Sequence, residues 1–249
     1  MFGGYDRYRA MQLLARHRWW LRHVPVQQVI SPLADSPRSL RNRLLRLAHA
    51  GGPVETAGQY LRMIEIFKSD QIHRLVSNTE PIFESLQGWS AEHDPVHAAM
   101  RWDLTHYLPY DLLRKVDRAS MAVALEVRCP MLDTSVCDLA GHLPAHVLMP
   151  GGHSKGLLRE ATARYLPASI TQQSKRGFAL PIGRWFRSSL QSTLQNYLLD
   201  GRLSKLGFHK PELEALVHEH TLAQADHTHR LFALLTLALW LDWLMESNT

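Results

Sequence analysis

The 249-residue chain carries 28 Lys and Arg against 23 Asp and Glu, a formal net charge of +5, with 45% hydrophobic and 20% charged residues. That balance suits a globular fold with a substantial core and argues against disorder. Two cysteines, Cys129 and Cys137, are too few for a disulfide framework or a zinc spacing, and Met1 to Trp20 show no cleavable signal pattern, so a reducing cytoplasm is the expected location.

Gly3 and Gly4 permit a positive φ or a close backbone approach at a turn into a first helix, predicted over Asp6–Arg18. Much of the basic excess lies early, in Arg7, Arg9, Arg16, Arg18 and Arg22 and then Arg38, Arg41, Arg43 and Arg46. In RNRLLRL the arginines alternate with leucines at helical spacing, which marks a solvated helix face. With no zinc-finger spacing or recognition-helix pattern beside it, this charge does not predict a nucleic-acid partner. Pro25, Pro32, Pro37, Gly51, Gly52 and Pro53 break the first third into short helices, predicted over Ser39–His49 and Glu55–Lys68, and Ser85 to Pro95 reads as a loop.

From there the pattern is strongly helical, with helices expected over Pro95–His106, Tyr110–Val127, Thr134–His142, Ser154–Tyr165, Ile182–Leu199, Lys210–Leu222 and His229–Met245. No hairpin signal interrupts them. In Lys115 to Asp133, KVDRASMAVALEVRCPMLD, apolar positions recur at helical spacing among charges, and Pro130 predicts a helix end near Arg128. Asp111 falls where a carboxylate would cap that helix. Charges on so apolar a helix are costly unless paired, so Asp117, Arg118, Glu126 and Arg128 are expected to form a network.

Further on, Lys155 follows Pro150-Gly151-Gly152 at the start of a helix, where a cation opposes the helix dipole, and Arg159 lies one turn on along the same face. A phosphate contact and a structural tie are both open for Arg159. Lys175, Gly177, Phe178, Pro181 and Trp185 read as a restricted turn with an aromatic anchor. The cluster His218, His220, His227 and His229 reads as solvated histidines rather than a metal site, because His218 and His220 point to different helix faces. Neither cysteine has a histidine beside it to form a nucleophile pair, and both read as buried thiols. The last helix, apolar nearly all round from Leu231 to Leu241, is too short to span a bilayer and is expected in the core, which predicts no membrane role.

Four motifs in order, FGGYDRY at Phe2, the run from Tyr107 to Asp133, KGLLREA at Lys155 and KRGFALPIGRWF at Lys175, resemble the synthetase domain of glutamine-hydrolysing asparagine synthetases. The resemblance implies a mainly α chain: the helical C-terminal part of an α/β adenine-nucleotide-hydrolase-like domain whose parallel sheet is mostly missing, across residues 1–249. It implies that Met1 stands inside a Ser-Gly-x-Gly-type motif, that the phosphate-binding loop and N-terminal glutaminase domain lie outside this sequence, and that the chain alone is inactive. The implied reaction is amidation of aspartate to asparagine through β-aspartyl-AMP, with ATP, Mg2+ and glutamine-derived ammonia, in a protein able to form a homodimer. Lys155 is then the phosphate-contacting catalytic lysine, with Asp111 a second catalytic candidate and Arg159, Gly3 and Gly4 beside the nucleotide; no metal ligands are expected in these residues. Relatives of this architecture amidate other carboxylates, including exopolysaccharide precursors, or close a β-lactam ring. The rival class is a non-catalytic helical module that binds a partner.

Overall fold

The computed structural model describes residues 1–23, 47–52, 55–77, 86–90, 92–173 and 180–247, with only the backbone of residues 18–23. Among them the secondary structure is helical, joined by one isolated antiparallel bridge between Val76 and Phe208. The mainly α expectation holds. The described residues of 1–63 and 86–173 form one compact unit, and those of 64–77 and 180–247 a second.

In the first unit, helix α1 (Asp6–His23) packs on α4 (Pro95–Trp102). Tyr8, Met11 and Leu14 bury one side of α1, and Val96, Ala99 and Met100 face inward from α4, at the three- and four-residue spacing of one helix face. Between them in sequence lie α2 (Thr56–Ile64), whose Tyr60 is fully buried, and α3 (Ser69–Leu75), which belongs to the second unit. Asp94 starts α4 by accepting the Val96 amide at 2.8 Å, with Pro95 in the first turn, where its missing N–H costs nothing.

Two helices were expected over 95–127, but the chain runs unbroken from α4 through a π-helical stretch (Asp103–Leu113) into α5 (Arg114–Met121). Pro109 lies inside the π stretch. Its ring lacks an N–H and crowds the carbonyl of an α-helical turn, and a wider turn relieves that conflict. Asp111 is therefore interior to a helix rather than at its cap. The helix ends at Met121 and turns through Ala124 at φ 55°, well before Arg128. Glu126 and Arg128 form an exposed local pair, and no ion pair joins them to Asp117 or Arg118, so the predicted network does not form. Val123, Leu125 and Val127 are exposed along the same segment, and so is Cys129, while Cys137 is half-exposed.

The unit closes with α6 (Thr134–His142), α7 (Ala145–Leu148), a tight turn at Pro150–Gly152, α8 (Gly156–Thr162) and α9 (Ala168–Thr171). In the second unit, α10 (Ile182–Phe186), α11 (Gln191–Leu199), α12 (Lys210–Thr221) and α13 (Thr228–Ser247) enclose Phe186, Leu194, Leu213, Val217, Leu231 and Leu235. The single helix expected over 182–199 is split by turns at residues 187–190. The buried aromatic is Phe186 rather than Trp185, and Lys175, Gly177 and Phe178 lie outside the described residues.

His220 and His227 are not solvated. His220 is fully buried, its Nδ1 accepting the His227 amide at 3.1 Å and its Nε2 facing the Gly183 carbonyl at 3.0 Å. Burial, followed by smaller and opposed effects of its neighbours, holds its pKa below the usual histidine value. His227 meets Glu219 at 2.6 Å and Arg230 at 2.9 Å. These rings pin α12 to α13. Helix α13 buries only one side, so the expectation of a fully buried last helix fails along Phe232, Trp240 and Trp243.

Candidate functional site

The entry to α1 and the start of α8 meet in the first unit. Gly3 has φ +60°, and a Cβ there would run into the buried side chain of Met149. Only glycine satisfies both the backbone angle and the space. The Ser154 hydroxyl donates to the Gly3 carbonyl at 3.1 Å, tying this turn to the loop before α8. One residue on, a Cβ on Gly4 would stand 2.9 Å from Cε of Lys155. The structure thus brings Gly3, Gly4 and Lys155 together across 150 residues of sequence.

Lys155 is not in the first turn of α8 but is its N-cap, with left-handed backbone angles φ 56° and ψ 31° and no side chain capping the helix. A non-glycine residue in that region carries about 1–2 kcal/mol of strain. Its exposed ammonium stands at the helix end whose dipole disfavours a cation. The preceding turn is also held open by positive φ at Gly151 and Gly152. An anion at this point would relieve the electrostatic conflict through the ammonium, while the Gly156 amide is already given to the His153 carbonyl at 3.1 Å. The residues present therefore fit a phosphate group. No cluster of three or more His, Cys, Asp or Glu able to hold a metal ion exists among the described residues.

Arg159 has other work. Its two Nη atoms donate to the carbonyls of Thr171 and Gln173, each at 2.8 Å, so it closes the C-terminal end of α9. These bonds go to main-chain carbonyls and not to Glu126. Asp111 pairs with Lys115 at 2.8 Å, one turn on. It also faces Tyr107, whose hydroxyl is pushed up to about 12 by burial first and then by Tyr5 and Asp111. Neither residue joins the group at Lys155 through a described contact.

A cluster missed in the sequence joins α1, the helix that follows the Gly3–Gly4 turn, to Asp103 and Tyr60. Asp103, 5% exposed, accepts from Arg7 Nε at 3.0 Å and Nη2 at 2.7 Å, from Tyr60 Oη at 2.5 Å and from Tyr8 Oη. Burial, with the Asp103 charge second, pushes the Tyr8 and Tyr60 hydroxyls well above the usual phenol range, so both are donors at any physiological pH. For Arg7, burial works against the charged form, but Tyr60 and Asp103 outweigh it and its pKa rises. The guanidinium also lies over the rings of Tyr5 at 4.4 Å and Tyr107 at 4.6 Å. The signal was available: Asp103 follows Val96, Ala99 and Met100 by seven, four and three residues, on the buried face of the helix.

A family model described as asparagine synthase matches residues 1–242. A protein of Mycobacterium tuberculosis provisionally named a glutamine-hydrolysing asparagine synthetase is 30% identical over 255 residues, covering 96% of this chain and 37% of the relative. Glutamine-hydrolysing asparagine synthetase 1 of Bacillus subtilis is 24% identical over 249 residues, covering 96% of this chain and 38% of the relative. The chain thus spans little more than a third of the length of these relatives. No solved structure matches it. No helix among the described residues is long and apolar enough to cross a membrane.

Proposed function

Because the chain belongs to the asparagine synthase family, we propose that it serves ATP-dependent amidation of aspartate to asparagine, with ammonia drawn from glutamine. In this reading residues 1–242 supply the helical C-terminal portion of the synthetase domain. They act with the phosphate-holding and glutamine-hydrolysing parts that the resemblance implies. ATP, carried with Mg2+, supplies the adenylate that activates the carboxylate, through a β-aspartyl-AMP intermediate.

The observation that carries the proposal is the packing of Gly4 against Lys155 at a strained helix start. The glycine lets the main chain lie along the lysine stem and limits where the ammonium can go. A cation fixed in this way stabilises charge that develops on phosphate as the leaving group departs, without rearranging at that moment. Ser154 holds the turn through Gly3, and Asp103 holds the following helix through Arg7 and Tyr8. Asp111 is proposed to act through its contact with Tyr107, and Arg159 as a tie beneath α8.

The test is pyrophosphate release by the full-length polypeptide with ATP, Mg2+, aspartate and ammonia, in the parent and in Lys155→Ala. A loss of at least about a hundredfold, the scale for one lost transition-state contact, supports the assignment. Near-normal release by the variant would make Lys155 a surface cation. Activity on a different carboxylate, with aspartate inert, would keep the chemistry and replace the substrate. A second reading, a helical module that binds a partner without catalysis, draws on the exposed run Val123, Leu125 and Val127; it requires that no carboxylate support pyrophosphate release.

A further inference from the structure

Helices α11 and α12 leave a groove of about 510 Å3 between them, wholly within the second unit. That size falls among small-ligand sites, which run from roughly 300 to 1,000 Å3. Leu199, Ala215 and Val217 give the groove an apolar lining, and Val217 belongs to the core beneath it. The polar side chains come in two pairs, Gln191 and Gln195 from α11 and Glu214 and His218 from α12. Each pair is spaced by four residues, so its members stand one turn apart on one face of their helix.

These groups are uncommitted. Among the described residues no hydrogen bond or ion pair engages the carboxamides of Gln191 and Gln195 or the ring of His218. Thr221 at the edge of the groove differs, since its hydroxyl already donates to the Val217 carbonyl at 2.7 Å. Glu214 meets Lys210 at 3.8 Å, one turn back, and both side chains are more than half exposed. An ion pair that long and that wet holds its carboxylate weakly.

We infer that this groove takes a small organic cation, a primary amine that carries a compact apolar body. The ammonium stands against Glu214, and the apolar body lies along Leu199, Ala215 and Val217. No lysine or arginine is among the described residues that line the groove, although the chain as a whole carries a net charge of +5. An anion would therefore meet the Glu214 charge with nothing in the lining to offset it. A wholly apolar molecule would strip water from four polar side chains and return no bond to any of them. The amine avoids both costs. It gives the carboxylate a charge-assisted bond, and the side-chain carbonyls of the two glutamines are acceptors for its remaining hydrogens. This inference draws on the second unit alone and is independent of the reaction proposed above.

Phenethylamine is the probe, with phenylpropionate and phenylethanol as controls that keep the apolar body and change the charge. Titrated into the full chain at neutral pH and followed by amide NMR, the amine is expected to give saturable shifts at Gln195, Ala215 and His218. The alcohol binds at least about tenfold more weakly, the scale of one bond to a charged group, and the carboxylate does not bind. Glu214→Gln removes the preference for the amine over the alcohol. Ala215→Phe, which fills the groove from an exposed position, abolishes binding of both. Circular dichroism of each variant checks that the helices remain. Shifts that never saturate, or that fall outside the groove, overturn the proposal, and so does equal affinity for amine and carboxylate. A Glu214→Gln chain that still prefers the amine, or an Ala215→Phe chain that binds it as the parent does, overturns it as well.

Discussion

Replacing Asp103 by Ala withdraws one acceptor from four donors: Arg7 Nε and Nη2 and the hydroxyls of Tyr8 and Tyr60. The carboxylate is 7% exposed and the Arg7 side chain 19%, so solvent screens the pair weakly. Stranding one partner of such a pair costs about 3–5 kcal/mol. Each orphaned hydroxyl adds a penalty of about 1–3 kcal/mol, but these do not sum, because one carboxylate serves all the donors. The ion-pair figure is the floor. At about 2–4 °C per kcal/mol for a chain of this size, Asp103→Ala should melt about 6–20 °C lower. Trp89 and Trp102, whose rings lie 5.5 and 5.8 Å from Tyr60, report on this unit by fluorescence. Tyr60→Phe alone should cost about 1.5–3 kcal/mol, as for a hydrogen bond to a charged group. In the Asp103→Ala background it should cost much less. A loss under about 1 kcal/mol for Asp103→Ala, or full additivity with Tyr60→Phe, would refute the idea of a shared buried acceptor.

Lys155→Gly releases the left-handed strain and should leave thermal stability unchanged or raised by up to about 1 kcal/mol, while pyrophosphate release in the full-length polypeptide falls at least about a hundredfold. Gly4→Ala pushes only against the flexible Lys155 stem and should lower activity more than stability, whereas Gly3→Ala meets both Met149 and a positive φ and should lower the melting temperature first. The pKa of His220 is depressed in the fold, so the unfolded chain binds its proton more readily. Stability from this group is therefore complete above pH ~6.5 and is lost as pH falls from there toward the depressed value. Urea midpoints of parent and His220→Gln, compared between neutral and mildly acid pH, should show a shallower slope for the variant even if it is less stable overall.

The helices that stood out in the sequence were those whose apolar spacing matched their burial. Thr134–His142 agrees residue for residue with its pattern, and Lys210–Thr221 differs by one residue. The failures have physical causes. The gap left between the helices predicted over 95–106 and 110–127 holds Pro109, which an α-helical turn accommodates poorly but a π-helical stretch can carry, and the two predicted helices are one. The helical apolar spacing in the sequence carries on past Met121 to Val123 and Val127, but the segment that holds them has left the helix and exposes both. His220 read as solvated because two neighbouring histidines cannot share a helix face. That argument says nothing about which of them faces the core. Composition also hid the outer face of α13, since a helix apolar on every side offers no contrast from which to tell its buried side from an exposed one.

For the proposed site, Lys155 stands out in the sequence because its context conflicts with local electrostatics, and the structure adds left-handed backbone angles at the same residue. Two local penalties at one residue are the reason a role is proposed for it. Asp103 was hidden for the opposite reason: all its bonds are long-range, to Arg7, Tyr8 and Tyr60, and none has a sequence neighbour to suggest it. The two features are nonetheless one construction. The first eight residues spend Gly3 and Gly4 on the approach to Lys155, and Arg7 and Tyr8 on the carboxylate behind it. Since the Gly3 carbonyl is fixed by Ser154 and α1 is fixed by Asp103, Gly4 is held from both sides against the lysine. The buried acceptor thus anchors the helix that begins just after the two glycines.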